Sequence, residues 1–369
     1  MAGVNQIEIK LPPTIARGFI LALVRHIDVG PQRGVEEIEL RGDSVILKGR
    51  DPVGGLADAI NLIADYIADQ AGQDIGVRLP MSGNDKGIVS RIFQCYQASL
   101  KDDQENLAQV VRQIGSTIYK VKCGESKLPS ILKPEMYEYT RIPGYLGGDS
   151  KRKFDEEYPA ESVVLALIGY LGARVGGYGE RRAVALLPPD EGGYSARYFF
   201  ERYSRSLRNM WGRQIKRRMR FPGINPEPAL TIWLALQLPE VDKINLVSIR
   251  EPDGRESAVL ISSLSLTLDS VKRYADLWEC VVRANEKGLV EMILERALNP
   301  DPRRRSDLAV KASVWLYETL VGVRRFEETV YMMSRDYVSA LLTNTEAGED
   351  ARILAMLARS LYRCYSGRS

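Results

Sequence analysis

Val35 to Gly49, VEEIELRGDSVILKG, is the stretch that decides the fold. Its two strand-forming runs, Val35 to Arg41 and Ser44 to Gly49, flank Gly42-Asp43, a dipeptide suited to a tight hairpin turn. Upstream, Val4 to Leu11 alternates with Ile7, Ile9 and Leu11 on one face, and Pro12-Pro13-Thr14 then opens a helix. Downstream, Leu56, Ile60, Ile63 and Ile67 recur at helical spacing until Gly72, and Asp74 to Leu79 supplies a closing strand. The order is β-α-β-β-α-β, a ferredoxin-like unit. RNA-binding domains with this order stack bases on sheet aromatics. This sheet instead offers Ile7, Ile9, Val45, Ile46 and Leu47, so it serves as a scaffold.

Beyond that unit, the apolar spacing predicts helix from Ile88 to Ile114. Tyr119 to Lys153 then loses all periodicity, with Tyr119, Tyr137, Tyr139 and Tyr145 interleaved among Lys120, Lys122, Lys127, Lys133 and Arg141. A stretch of that length without periodicity is expected either to carry function and order on a partner, or to be a solvated interdomain loop whose tyrosines pack on their own domain. Glu161 to Val175 predicts a buried helix and Arg182 to Leu187 a short strand. The glycines of Gly172 to Gly179 are expected in a turn or at a close helix contact. Lys243 to Arg250 and Glu256 to Leu264 flank Pro252-Asp253-Gly254 as a second hairpin. Past Ser265 only helical patterns remain: Leu268 to Val282, Leu289 to Leu298, Ser306 to Leu320, Arg324 to Leu342 and Glu349 to Tyr365. The expected class is α+β, in three regions: an N-terminal α+β domain over 1–115, a mixed region with the basic Tyr-rich loop and basic helix over 116–264, and a helical bundle over 265–369.

The 369 residues are 45% apolar and 27% charged, the composition of a globular protein of two or three domains. No apolar run approaches the length of a membrane span, and the first residues alternate like a strand rather than a signal peptide. Cys95, Cys123, Cys280 and Cys364 form no CxxC pair, which argues against a zinc site and fits a reducing cytoplasm. A single histidine, His26, rules out paired-histidine metal chemistry and is expected in the core. No GxxxxGK[ST] or GxGxxG loop occurs, so no nucleotide cofactor is implied, and the expected catalytic, metal and cofactor sets are empty.

The net charge of +3 hides a concentration: Arg197 to Arg220 holds nine basic residues and one acid, Glu201, leaving −5 for the other 345 residues. On a helix, Arg197, Arg202, Arg205, Arg208, Arg213 and Lys216 fall within about 160° of arc. Phe199, Phe200, Tyr203, Leu207, Met210 and Trp211 take the opposite side. Arg217, Arg218 and Arg220 extend the cationic run, and Tyr198 shares its face, where a ring can stack on a base. Cations held on one face repel unless an anion neutralises them, and a phosphate backbone is the favoured anion, beside two other readings, a solvated face matched by acids elsewhere and a membrane-surface helix. Arg303-Arg304-Arg305, just ahead of the Ser306 cap, oppose the helix dipole and gain from an anion too.

Lys127 to Tyr145 (KLPSILKPEMYEYTRIPGY), Val163 to Gly177 (VVLALIGYLGARVGG), Ala183 to Pro188 (AVALLP) and Tyr317 to Val338 (YETLVGVRRFEETVYMMSRDYV) resemble the large subunit of archaeal type I-A CRISPR interference (Cascade) complexes in segment order and texture. The resemblance implies a non-catalytic subunit that contacts crRNA and target DNA. It would help recognise the protospacer-adjacent motif, stabilise strand separation and adjoin backbone, small-subunit and helicase or nuclease proteins. Guide pairing would then read sequence while the protein reads shape and a short flanking motif. Two other readings stand beside it: a stand-alone DNA- or RNA-binding regulator, and a magnesium nuclease built on Asp149, Asp155, Glu156 and Glu157.

Overall fold

The computed structural model describes residues 5–71, 79–100, 106–134, 157–178, 182–188, 227–239, 241–252, 254–298, 306–343 and 348–367. The chain forms two compact units, one from Met1–Lys216 with Asn245–Leu264 and the other from Arg217–Ile244 with Ser265–Ser369. Helices and sheets mix in the first and helices dominate the second, so the class is α+β.

In the first unit, β1 (Asn5–Lys10), β2 (Glu37–Arg41) and β3 (Ser44–Gly49) form an antiparallel sheet in the order β1-β3-β2. The register follows the period-2 pattern: Ile7 and Ile38 both oppose Leu47, and Ile9 and Leu40 both oppose Val45. Gly42, at φ 45°, supplies the turn. This is the split arrangement expected of a ferredoxin-like unit, with α1 (Ala16–Val24) and α2 (Pro52–Ala71) as its helices. The expected closing strand falls on residues 74–79, of which only Leu79 is described.

The apolar pattern predicted over Ile88 to Ile114 resolves into two helices, α3 (Gly83–Cys95) and α4 (Leu107–Thr117). Gln97, at φ 57°, turns the chain after α3 and lets α4 pack on α2. Helix α5 (Ala160–Ala173) is buried along nearly its whole length. An apolar helix of that kind belongs at the centre of a core, and α1, α2 and α3 all pack against it. Gly169 permits the tightest of these contacts, because a Cβ there would collide with the carbonyl oxygen of Phe19. Gly172 lies against Ile63, where a Cβ would come 2.7 Å from its Cδ1. The close-contact expectation thus holds for Gly172, whereas Gly176 and Gly177 lie in strand β6 (Arg174–Tyr178), beside an irregularity of register at Arg174/Gly176. Strand β6 joins β7 (Arg182–Leu187), β8 (Lys243–Arg250) and β9 (Val259–Thr267) in a sheet of that order. The second hairpin is therefore present, with its return strand starting three residues later than the sequence suggests. One apolar core runs from Ile9 through α5 to Ile249 and Ala258, joining residues on both sides of position 115.

The second unit comprises α6 (Glu227–Gln237), α7 (Asp269–Lys272), α8 (Ala275–Asn285), α9 (Leu289–Leu298), α10 (Asp307–Leu320), α11 (Phe326–Thr343) and α12 (Gly348–Ser366). Ser306 caps α10 by accepting from Ala309 N at 3.3 Å, as its position before an apolar run predicts. The single helix expected from Leu268 to Val282 is broken between α7 and α8, where Tyr274 takes extended backbone. Helix α6, with Trp233 buried, has no counterpart in the sequence reading.

Cysteines distant in sequence are paired in space: Cys95 with Cys123 and Cys280 with Cys364, separated by 28 and 84 residues. Neither disulfide is anticipated by the cysteine spacing, weighed only for a zinc site and a reducing cytoplasm. Spacing in the chain carries no signal for a contact made between α3 and a distant turn, or between α8 and α12.

Candidate functional site

Buried polar contacts in the first unit hold residues 119–134, the described part of the Tyr-rich stretch. Ser82, Gly83, Asn84 and Asp85 begin α3 as a capping box: Asp85 N donates to Ser82 Oγ, and Ser82 N donates back to Asp85 Oδ2 at 3.1 Å. The Asp85 carboxylate also accepts from the Ser82 hydroxyl at 2.7 Å, the Ser130 N–H at 2.9 Å and the Ser130 hydroxyl at 2.6 Å. Four donors around one buried carboxylate fix the 3₁₀ turn Ser130–Leu132 against the start of α3. Thr14, in the turn just ahead of α1, adds a further tie, its hydroxyl donating to Leu132 O at 2.7 Å. Ile131 and Leu132 are fully buried, and Leu128 nearly so.

Residues 119–134 thus contradict the expectation that the whole of Tyr119 to Lys153 lacks structure. Their apolar anchors are aperiodic, so no helix or strand pattern reveals them. Tyr119 adopts φ 61°, packs on the core and donates its hydroxyl to Glu8 O at 3.4 Å. Burial, reinforced by the Glu161 carboxylate, holds its phenol well above the ordinary tyrosine range, so it acts as a neutral donor. Strand β4 (Glu125–Lys127) then pairs with β5 (Glu157–Pro159), so Lys127 lies opposite Glu157.

The expected nucleic-acid contacts fall into three groups. Lys120 and Lys122 are exposed on the turn between α4 and β4, which the Cys95–Cys123 disulfide ties to the end of α3. Lys127 and Lys133 are half-buried, Lys127 within the ladder and Lys133 just past the 3₁₀ turn. Arg197, Tyr198, Arg202, Arg205, Arg208, Arg213, Lys216, Arg217, Arg218, Arg220, Arg141, Arg303, Arg304 and Arg305 lie outside the described residues, as do Asp149, Asp155 and Glu156. Of the carboxylates considered for a nuclease, Glu157 is described, and it is exposed on β5. Among the described residues no group of three or more His, Cys, Asp or Glu is placed to hold a metal ion. His26 is buried, with its ring edge toward Tyr66 at a centroid distance of 6.2 Å.

A second polar centre holds the turn between β8 and β9. Glu251, 3% exposed, accepts from the Tyr170 hydroxyl at 2.6 Å, and Arg174 Nε stands 3.0 Å from the same oxygen. Burial and then the Glu251 charge raise the Tyr170 phenol well above its usual range, keeping it protonated as a donor. In the same turn, Gly254 O accepts from Gly83 N at 2.7 Å, which joins the turn to the start of α3. Sequence reasoning missed both carboxylates. Ser82 followed by Asp85 does carry the spacing of a capping box; Glu251, beside Arg250 and Asp253, has the texture of a solvated turn.

The second unit has an open groove of about 410 Å³ lined by Arg273, Tyr274, Leu277, Gly322, Arg324 and Tyr365. Arg324 is engaged by Glu318 at 2.7 Å, and Phe326 stacks on Tyr365 with centroids 4.2 Å apart. Among the described residues no helix is long and apolar enough to cross a membrane.

Comparison with protein families gives a match over residues 56–337, more than half of the chain, to the family described as CRISPR-associated protein, CsaX. The matched span runs from α2 well into α11. A comparison with curated proteins gives no match.

Proposed function

The chain belongs to the CsaX family of CRISPR-associated proteins, and from that premise we propose that it is the non-catalytic, nucleic-acid-binding large subunit of a type I-A crRNA-guided surveillance complex. Its role lies in CRISPR defence alongside other CRISPR-associated components. In this reading it contacts duplex DNA beside the protospacer-adjacent motif and stabilises the separated strands, while the guide reads sequence by pairing. The observation that carries the proposal is the basic run Arg197 to Arg220, with its +8 charge and a set of apolar residues that helical spacing would place on the opposite side. Lys120 and Lys122, exposed on a disulfide-anchored turn, add cations on a rigid support. The non-catalytic part rests on the sequence, which has one histidine and no phosphate loop.

Replacing Arg202, Arg205 and Arg208 together by glutamine tests it. Each lost duplex phosphate contact makes the slope of log affinity against log salt shallower by about 0.9, so three lost contacts predict a change of about 2.7. The loss should be similar on every DNA sequence, because backbone contacts carry no base information. An unchanged slope and affinity in a folded variant would overturn the assignment of this segment to nucleic acid.

A further inference from the structure

Helix α12 begins with two acids and then has none. Both face Arg296 of α9: Glu349 stands 3.1 Å from its Nη2, and Asp350 pairs with its Nη1. From Ala351 to Ser366 the only charged residues are Arg352, Arg359 and Arg363. At positions i, i+7 and i+11 they fall within about 40° of helical arc. All three are exposed, and none makes an ion pair among the described residues. The opposite side of the helix is the core side, with Ala351, Leu354, Leu357, Ala358 and Leu361 buried. The arginines therefore stand along the centre of the solvent face, in a straight row about 16 Å long at 1.5 Å rise per residue. Tyr362, 56% exposed, and Met356, 54% exposed, flank that row on its two sides.

Helix electrostatics account for Arg363, in the last turn, but not for Arg352, near the positive end of the helix dipole. Three like charges in a row without an acid between them gain most from a linear polyanion. Double-stranded DNA presents one charge per about 1.7 Å of axis, which matches a row of this length with several phosphates. A membrane surface fits less well, because the apolar face that would insert is already buried in the bundle. An exposed tyrosine beside the arginines also suits stacking on an unpaired base.

We propose that the Arg352–Arg359–Arg363 face of α12 is a second nucleic-acid site, contacting the phosphodiester backbone independently of sequence. The inference deepens the nucleic-acid reading above and rests on it. It adds a contact in the second unit, carried by a described helix rather than by the basic run.

The test uses the full-length chain and its Arg352→Gln/Arg359→Gln/Arg363→Gln variant, titrated with labelled duplex DNA, single-stranded DNA and single-stranded RNA across salt concentrations. The side chains are exposed, so the thermal midpoint should stay unchanged. On duplex the slope should become shallower by about 2.7, and on single strands by about 2. Affinity at low salt should fall at least tenfold on whichever nucleic acid the site takes. Replacing the same three arginines by lysine should keep most of the slope, since a backbone contact needs charge. Slope and affinity unchanged in the glutamine variant, while the Arg202, Arg205 and Arg208 variant loses both, would overturn this inference alone. Absence of salt-dependent binding by the unaltered chain would overturn both. Loss of binding to anionic vesicles or to an acidic protein, with the nucleic-acid slope intact, would reassign the face and overturn the site.

Discussion

Replacing Glu251 by alanine should destabilise the first unit by about 3–5 kcal/mol, the usual cost of stripping one partner from a buried ion pair. The loss leaves the Arg174 guanidinium buried without its carboxylate and the Tyr170 hydroxyl without its acceptor. The three residues come from the last turn of α5, the junction of α5 with β6, and the turn after β8, so one substitution loosens a helix end, a strand start and a hairpin together. Chemical denaturation measures the change, with the midpoint shift read at constant slope. Arg174→Met combined with Glu251→Leu and Tyr170→Phe should recover much of the loss, because apolar side chains of similar volume need no partner. A cost below about 1 kcal/mol for Glu251→Ala would show that water reaches the carboxylate and that the pair is no centre of the fold.

Asp85→Ala should cost a similar amount, roughly 3–5 kcal/mol, because the backbone N–H groups of Ser82 and Ser130 both lose a charged acceptor in a buried place. Asp85→Asn keeps an acceptor oxygen and should cost less than half as much. The consequence is local: the 3₁₀ turn detaches from α3, and residues 119–134 lose an anchor. Protease cutting between Tyr119 and Pro134 should rise in the alanine variant before global unfolding. Equal protection in the unaltered chain and the variant would show that β4–β5 and the Cys95–Cys123 disulfide suffice to hold this stretch. Gly83 N also donates to Gly254 O, so the Asp85 and Glu251 centres share the start of α3. Their double variant should depart from additivity.

The first sheet was legible because its signals are local. Alternation sets which residues share a face, Gly42-Asp43 sets the turn, and a one-residue slip would move the fully buried Val45 and Leu47 to the opposite face. Helix α9 could be bounded to the residue from its apolar run and the Asn-Pro that follows, and α10 from Ser306. What failed were features set by contacts distant in the chain. The apolar spacing continues through Ile88 to Ile114, and nothing in Gln97 announces a positive φ. Leu128, Ile131 and Leu132 lack a period because a 3₁₀ turn and a three-residue strand are too short to show one. Glu251 is buried by Tyr170, 81 residues away, and the cysteines pair across 28 and 84 residues. At the candidate interface, composition revealed the basic run and missed the α12 row, whose three arginines are diluted among apolar residues until helical geometry aligns them.

The central claim is that this chain acts as a subunit of an RNA-guided complex rather than alone. Purification from its native host under low-salt conditions, with sequencing of any bound RNA and identification of associated proteins, tests this most directly. The account predicts RNA made of a constant repeat-derived portion joined to many different spacers, together with other CRISPR-associated subunits. Recovery of the chain as a symmetric dimer, free of RNA and of those subunits yet binding DNA by itself, would contradict the account in favour of a stand-alone regulator.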